Sequence, residues 1–208
     1  MLTLQAPGKR LLLHCCCAPC AGAIVECLVR NGIRPVLFFS NSNIVPREEY
    51  ELRKTELVRY AGKWGLETVD DDYDHEAWLS AALELMGGDE ERSRELARMD
   101  ERRDRCLNCF RFRLERAARY AVENGFDTLA TTLASSRWKD LAQVDEAGER
   151  AVALAGLGLV WWKQNWRKGG LQPRRGEIIR EENFYNQNFC GCEFSKANCA
   201  SVVPGDKK

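Results

Sequence analysis

Residues 11–28, LLLHCCCAPCAGAIVECL, constrain the fold more than any other stretch of the chain. An apolar run ends at His14, four thiols follow within the next six residues, and an amphipathic segment begins at once. The run Arg10 to His14 reads as a strand. Cys20 to Asn31 reads as a helix with apolar residues on one face and Gly32 as its stop signal. A strand that hands over directly to a helix is half of a parallel βαβ unit, because parallel neighbours need a crossover. The thiols therefore belong at the carboxyl end of a strand, where open α/β sheets collect their ligands.

The alternation continues over the first 135 or so residues. Pro35 to Ser40 is an expected strand, Arg47 to Trp64 a helix between Pro46 and Gly65, and Leu66 to Val69 a strand. Helices follow near Asp74 to Met86, Glu91 to Asp104 and Phe110 to Asn124, then a strand over Phe126 to Leu133. This predicts an α/β fold, a parallel sheet with helices on both faces. Beyond Lys139 the pattern weakens. Leu141 to Leu157 is an expected helix, followed by a Trp-rich basic loop (WWKQNWRKGGLQPRR), a short helix to Asn183, and FYNQNFCGCEFS. The expected organisation is one α/β domain over 1–208, with 141–208 as a helical and loop-rich extension that completes the site.

Ten cysteines stand in 208 residues. The opening MLTLQAPGKR lacks the basic-then-apolar order of an export signal, so a cytoplasmic location is expected. No apolar run approaches the ~20 residues of a membrane span, so no membrane partner is expected. In a reducing compartment disulfides are expected to be rare, which leaves metal binding, with redox catalysis by free thiols as the lesser account. Seven thiols form three groups: Cys16, Cys17 and Cys20; Cys106 and Cys109; Cys190 and Cys192. Seven exceed the four used by one structural zinc or one 4Fe-4S cluster. The two thiols of C-G-C are too close to fill two corners of one tetrahedral zinc, and suit neighbouring metals. Cys16 and Cys20 have the gap that opens a radical-SAM motif, but Ala23 stands where its third cysteine belongs. Cys27 falls on the apolar helix face, and Cys15 and Cys199 read as small buried hydrophobes. With two histidines in the chain, any metal is held mainly by thiolate, which selects zinc, copper(I) or iron–sulfur.

Charge is balanced overall, 31 cations against 31 acids, but not locally. Glu67 to Glu76 holds six acids and no Lys or Arg, read as a solvated face. Arg102 to Arg119 holds seven cations against two acids, and Lys163 to Arg180 six against one. Both basic stretches lie beside a cysteine pair and carry aromatics, the pattern of a polyanion-binding surface around a metal site.

Five segments taken together run through almost the whole chain: HCCCAPC at 14–20, SNSNIVPREEYELRKTE at 40–56, RCLNCFRFRLERAA at 105–118, FDTLATTLASSRWKD at 126–140 and YNQNFCGCEFS at 185–195. They resemble the QueH-type epoxyqueuosine reductases, iron–sulfur enzymes of the last step in making queuosine in tRNA. The resemblance implies reductive removal of the epoxide oxygen from epoxyqueuosine at the anticodon wobble position, and an external electron donor. It implies a 4Fe-4S cluster and an additional mononuclear iron. The seven motif thiols match that inventory, with Cys17, Cys106, Cys109 and Cys190 as cluster ligands. Some relatives carry a carboxylate where this chain has Cys20, which implies Cys20 for the single iron. The resemblance also implies a sheet like that of the PP-loop (HUP-like) nucleotide-binding folds. The glycine-rich phosphate loop is replaced here by cysteines, which speaks against ATP chemistry. The cobalamin-using route to the same product has no support, since Tyr73 occupies the Asp position of Asp-x-His-x-x-Gly before His75.

Epoxide opening leaves charge on oxygen and needs a proton source, for which Asp140, Lys139 and His14 stand at strand ends or in their loops. The alternative for Lys139-Asp140 is a helix cap, and for His14 a hydrogen-bonded strand end. Tyr185, Phe189, Trp162, Trp166 and Phe110 are candidate stacking partners for an extruded base, of which one or two are expected to touch it. Arg167, Lys168, Arg174 and Arg175 are the candidate phosphate contacts. Two other readings compete: a zinc-binding nucleic-acid module, and a PP-loop-like iron–sulfur tRNA thiolase.

Overall fold

The computed structural model describes residues 2–83, 91, 93, 95 and 103–195. Five parallel strands are ordered β3-β2-β1-β4-β5: β1 (Leu11–His14), β2 (Val36–Phe39), β3 (Thr68–Asp70), β4 (Thr128–Thr131) and β5 (Val160–Trp161). The helices are α1 (Ala18–Arg30), α2 (Arg47–Lys63), α3 (His75–Leu83), α4 (Asp104–Glu123), α5 (Leu141–Ala155) and α6 (Leu171–Glu181). The expected α/β class is thus the observed one. Most of the expected helix Glu91 to Asp104, the end of Asp74 to Met86, and Cys199 lie outside the described residues.

The sheet explains its own sequence. β1 is the central strand, paired to β2 and β4, and its LLLH is buried on both faces, so it reads as a continuous apolar run. Leu12 and Leu13 are fully buried, each contributing about 1.5–3 kcal/mol. From β1 the chain steps outward to β2 and β3, then returns past β1 to β4 and β5. Right-handed crossovers in opposite directions place helices on opposite faces. The packing agrees: α1 rests on α2 and α6, while α4 rests on α3 and α5. The reversal between β1 and β4 opens a crevice at their carboxyl ends.

Two elements differ from expectation. β5 was not expected: two residues in a basic loop carry no periodicity, and only pairing with β4 makes them a strand. α4 begins at Asp104 rather than Phe110, so Cys106 and Cys109 lie on its first turns. Residues three and four apart share a helix face. Cys106, Cys109 and Arg113 accordingly form one stripe, and all three line the same cavity. Among the described residues, no helix is long and apolar enough to cross a membrane.

Candidate metal centre and active site

The cavity at the carboxyl ends of β1, β2 and β4 has a volume of about 1030 Å³. All seven motif thiols line it. Cys17 caps α1 and Cys20 lies in its first turn, where the positive end of the helix favours thiolate. The loop that carries them is pinned from both sides. Cys16 N–H donates to Thr132 Oγ1 at 3.1 Å, and Asn41 Nδ2 donates to the Cys15 carbonyl at 2.9 Å. C-G-C arrives from the far end of the chain. Gly191 has φ 117°, and a Cβ there would meet Ile44 Cγ1 at 2.9 Å, so glycine is required. Val45 N–H donates to the Gly191 carbonyl at 3.0 Å. Cys192 then joins Cys109, Trp78 and Phe194 in a small buried cluster.

Cys16, Cys17 and Cys20 have their sulfurs within 4.8 Å of one another, a group that can hold a metal ion. Hydrogen bonds from the Cys17 and Cys20 thiols hold Cys16 well below the usual thiol range, against the effect of burial. The same contacts with Cys16 raise Cys17 and Cys20. Three crowded sulfurs cannot all ionise without a compensating cation. Gln187 Nε2 donates to Cys17 Sγ at 2.8 Å. Burial raises the Cys109 thiol, and Arg113 opposes that effect.

The walls supply positive charge. Among the described residues, Arg53, Arg105, Arg113, Arg137, Lys139 and Arg175 line the cavity, against a single carboxylate, Asp140. Arg113 is buried and its hydrogen-bond partners are neutral, the Ser40 carbonyl at 3.1 Å and Asn41 Oδ1. A buried guanidinium without a carboxylate needs another counter-charge. Thiolates around a metal provide it, and the donor set therefore fits a thiolate-held metal centre.

The expected site residues divide. Lys139 lines the cavity half-buried. Burial alone would lower its pKa, but the nearby sulfurs of Cys190, Cys16 and Cys20 act the other way and on balance raise it above the ordinary lysine value. Asp140 is the N-cap of α5, accepting from Ala142 N–H at 2.8 Å and Gln143 N–H at 3.4 Å, the alternative weighed for it. His14 is fully buried and does not line the cavity. Its Nε2–H donates to the Ser40 carbonyl at 3.1 Å, so Nδ1 accepts from Thr131 Oγ1 at 2.7 Å. Burial, then Arg113, lowers its pKa to about 3. A neutral pin between three strands is the role this geometry gives it.

The basic stretches look different once folded. Arg111 pairs with Glu146 at 2.7 Å, and Arg116 with Asp71 at 2.6 Å. Part of the acidic run thus faces part of the basic one rather than solvent. Arg174 is held by Glu26 at 2.6 Å, Glu181 at 2.7 Å and Glu177 at 3.0 Å. Arg167 donates from Nη2 to the Ser136 and Lys139 carbonyls at 2.7 Å each. Lys168 is exposed and does not line the cavity. Arg175 does line it, and its Nε donates to the Pro19 carbonyl at 2.8 Å.

Trp162 and Trp166 are core residues, with Trp166 Nε1 donating to the Thr131 carbonyl at 3.0 Å. Phe110 is buried at the cavity wall, and Phe189 lines it half-buried under Arg53. Tyr185 is exposed outside the cavity, its hydroxyl donating to Glu49 Oε2 at 3.0 Å. Arg53 and Trp138 were not singled out from sequence and carry no local signal. The place of Arg113 in the cavity wall was within reach, four residues after Cys109 and on its face.

Fold and cavity together define an α/β protein whose sheet crevice is lined with thiols able to hold metal. The family model described as epoxyqueuosine reductase QueH matches residues 11–198. An epoxyqueuosine reductase QueH of Histophilus somni is 43% identical over 194 residues, covering 93% of this chain and 75% of that protein. The one of Acinetobacter baylyi is 41% identical, covering 93% and 84%. That of Thermotoga maritima is 30% identical over 188 residues, covering 89% of each. The chain belongs to the epoxyqueuosine reductase QueH family, and its class is that of the oxidoreductases. These matches give no support to the zinc-module or thiolase readings.

Proposed function

We propose that this chain reduces the epoxide of epoxyqueuosine in a tRNA anticodon to the alkene of queuosine, using a 4Fe-4S cluster, a neighbouring iron and an external electron donor in the cytoplasm. The observation that carries the cofactor part is the convergence of seven thiols from three remote segments on one cavity. Cys17, Cys106, Cys109 and Cys190 would hold the cluster, and Cys16, Cys20 and Cys192 the single iron. Bound there, the metals supply one-electron reducing equivalents and Lewis acidity.

The overall change consumes two electrons and two protons, and releases water. The chain's own residues do the rest. Lys139, held protonated by the neighbouring sulfurs, presents an ammonium to the oxygen as charge develops on it, and hands over a proton. Asp140 fixes the start of α5 and with it the Lys139 loop. Phe189 and Phe110 offer apolar wall to the flipped base. Arg113 and Arg105 hold the negative charge of the sulfurs in a water-poor site. Elements after residue 141 complete a single domain in this reading, since β5 extends the sheet and C-G-C closes the cavity.

The test is anaerobic incubation of iron-loaded, reduced protein with epoxyqueuosine-containing tRNA and no cobalamin, followed by nucleoside analysis. Queuosine is the expected product. Untouched epoxyqueuosine, rescued by added cobalamin, would overturn the reading.

A further inference from the structure

Once ion pairs are assigned, few cations near the cavity are left to meet an anionic partner. Arg111, Arg116 and Arg174 are committed to carboxylates. Arg137, Lys139 and Arg175 line the cavity, and none of the three pairs with a carboxylate among the described residues. Between the first two stands Trp138, 66% exposed, the most exposed aromatic among the described residues and itself part of the cavity wall. The Arg137 guanidinium lies 5.3 Å from its ring centre.

A lone exposed aromatic needs no explanation. This one sits on a loop that is held still. Arg167 clamps the Ser136 and Lys139 carbonyls at 2.7 Å each, Lys139 N–H donates to the Ser136 carbonyl at 3.2 Å, and Trp138 N–H donates to Ser136 Oγ at 3.3 Å. The loop then ends in the Asp140 cap of α5. The indole is thus presented to solvent by a rigid support at the mouth of the cavity. Flat aromatic faces flanked by unpaired cations bind single-stranded nucleic acid, because every base has a π-face and every link a phosphate.

We propose that the Arg137-Trp138-Lys139 loop is the seat for the RNA strand. Trp138 stacks on a nucleobase next to the one that enters the cavity, and Arg137 and Arg175 take the flanking phosphates. The seat rests on the RNA-substrate reading above and says which part of the chain grips that substrate. Of the surface expected from sequence (Arg167, Lys168, Arg174, Arg175 and Tyr185), it keeps only Arg175.

The experiment measures binding of a fluorescein-labelled anticodon stem-loop RNA, with guanosine at the wobble position, to full-length metal-loaded protein across a salt series. Trp138→Ala should weaken binding about tenfold or more, with the salt slope unchanged, as loss of one stacked base does. Trp138→Phe should recover most of the affinity, which a merely misfolded loop would not allow. Arg137→Ala should reduce the salt slope by about one. Binding by Trp138→Ala within about twofold of the parent, below the smallest loss expected for a stacked base, overturns the seat while leaving the reductase reading intact. A parent protein that does not bind the stem-loop overturns both. If Trp138→Ala binds RNA normally but slows reduction of the metal centre by a reduced acidic flavodoxin, the loop faces the electron donor, and the seat is again refuted.

Discussion

The Arg53 guanidinium on α2 donates from Nη1 to the carbonyl of Cys190 at 3.0 Å, across 137 positions of sequence. Its Nε is held at 2.7 Å by Glu49, one turn earlier, and both side chains are largely buried. This clamp fixes the backbone of C-G-C against the sheet. Arg53→Met should cost about 3–5 kcal/mol, the usual loss when one partner of a buried pair is removed. Metal content should fall with it, as Cys190 and Cys192 lose their anchor. Anaerobic denaturant unfolding and iron determination check both. Glu49→Gln with Arg53→Met should regain part of the stability but not the iron.

Arg174→Ala tests the reassignment of a residue expected to touch phosphate. The Glu26 side chain is 6% exposed and loses one of its two guanidinium partners while keeping Arg30, and Arg174 is itself about a third exposed, so screening reduces the effect. A loss of about 1–3 kcal/mol is expected, below that of a fully buried pair. The salt slope of RNA binding should not change. A flattened slope with unchanged stability would return Arg174 to the RNA surface.

The thiols should divide by function. Cys106→Ser and Cys109→Ser should abolish the visible iron–sulfur spectrum. Cys20→Ser should keep that spectrum while losing about one iron of roughly five, together with turnover. Cys15→Ala and Cys27→Ala should change neither. Cys15 Sγ donates to the Leu13 carbonyl at 3.3 Å, Cys27 Sγ to that of Leu2 at 3.6 Å, and neither lines the cavity. Bleaching by Cys20→Ser as complete as by Cys109→Ser would make Cys20 a cluster ligand.

Asp145 should give the fold a measurable pH dependence away from the metal. Burial raises its carboxyl above the usual value, while Trp161 Nε1, at 3.3 Å, and Lys163 act in the other direction. A raised folded-state value means that the native protein binds the proton more tightly than the unfolded chain. Stability is therefore lost as pH rises from the unfolded value of about 3.9 through the raised one. Asp145→Asn should remove that decline, so wild type minus variant stability falls over this window and is flat above it. A difference independent of pH in thermal unfolding would refute this account.

Much of the architecture was legible because it is local. Three consecutive leucines and a histidine before a thiol loop, and a one-faced helix after it, are decided by neighbours within about fifteen positions. The three thiol groups were legible for a chemical reason: clustered cysteines are the donors of soft-metal sites. The placement of Cys16, Cys17 and Cys20 at a strand end also followed, because a βαβ chain sends its loops to one edge.

Charge and aromatic exposure were not legible, because they are settled between residues far apart. Arg174 is neutralised by Glu26, 148 positions away. Trp166 is turned inward by the Thr131 carbonyl, 35 positions away, while Trp138 is left outside. The sequence by itself determined that strands, helices and thiols of this kind exist and in what order. Only the tertiary structure decided which cations remain unpaired, which ring meets solvent, and that thiols at 16 and 192 share one cavity. Propensity acts along the chain, whereas burial and ion pairing act across space.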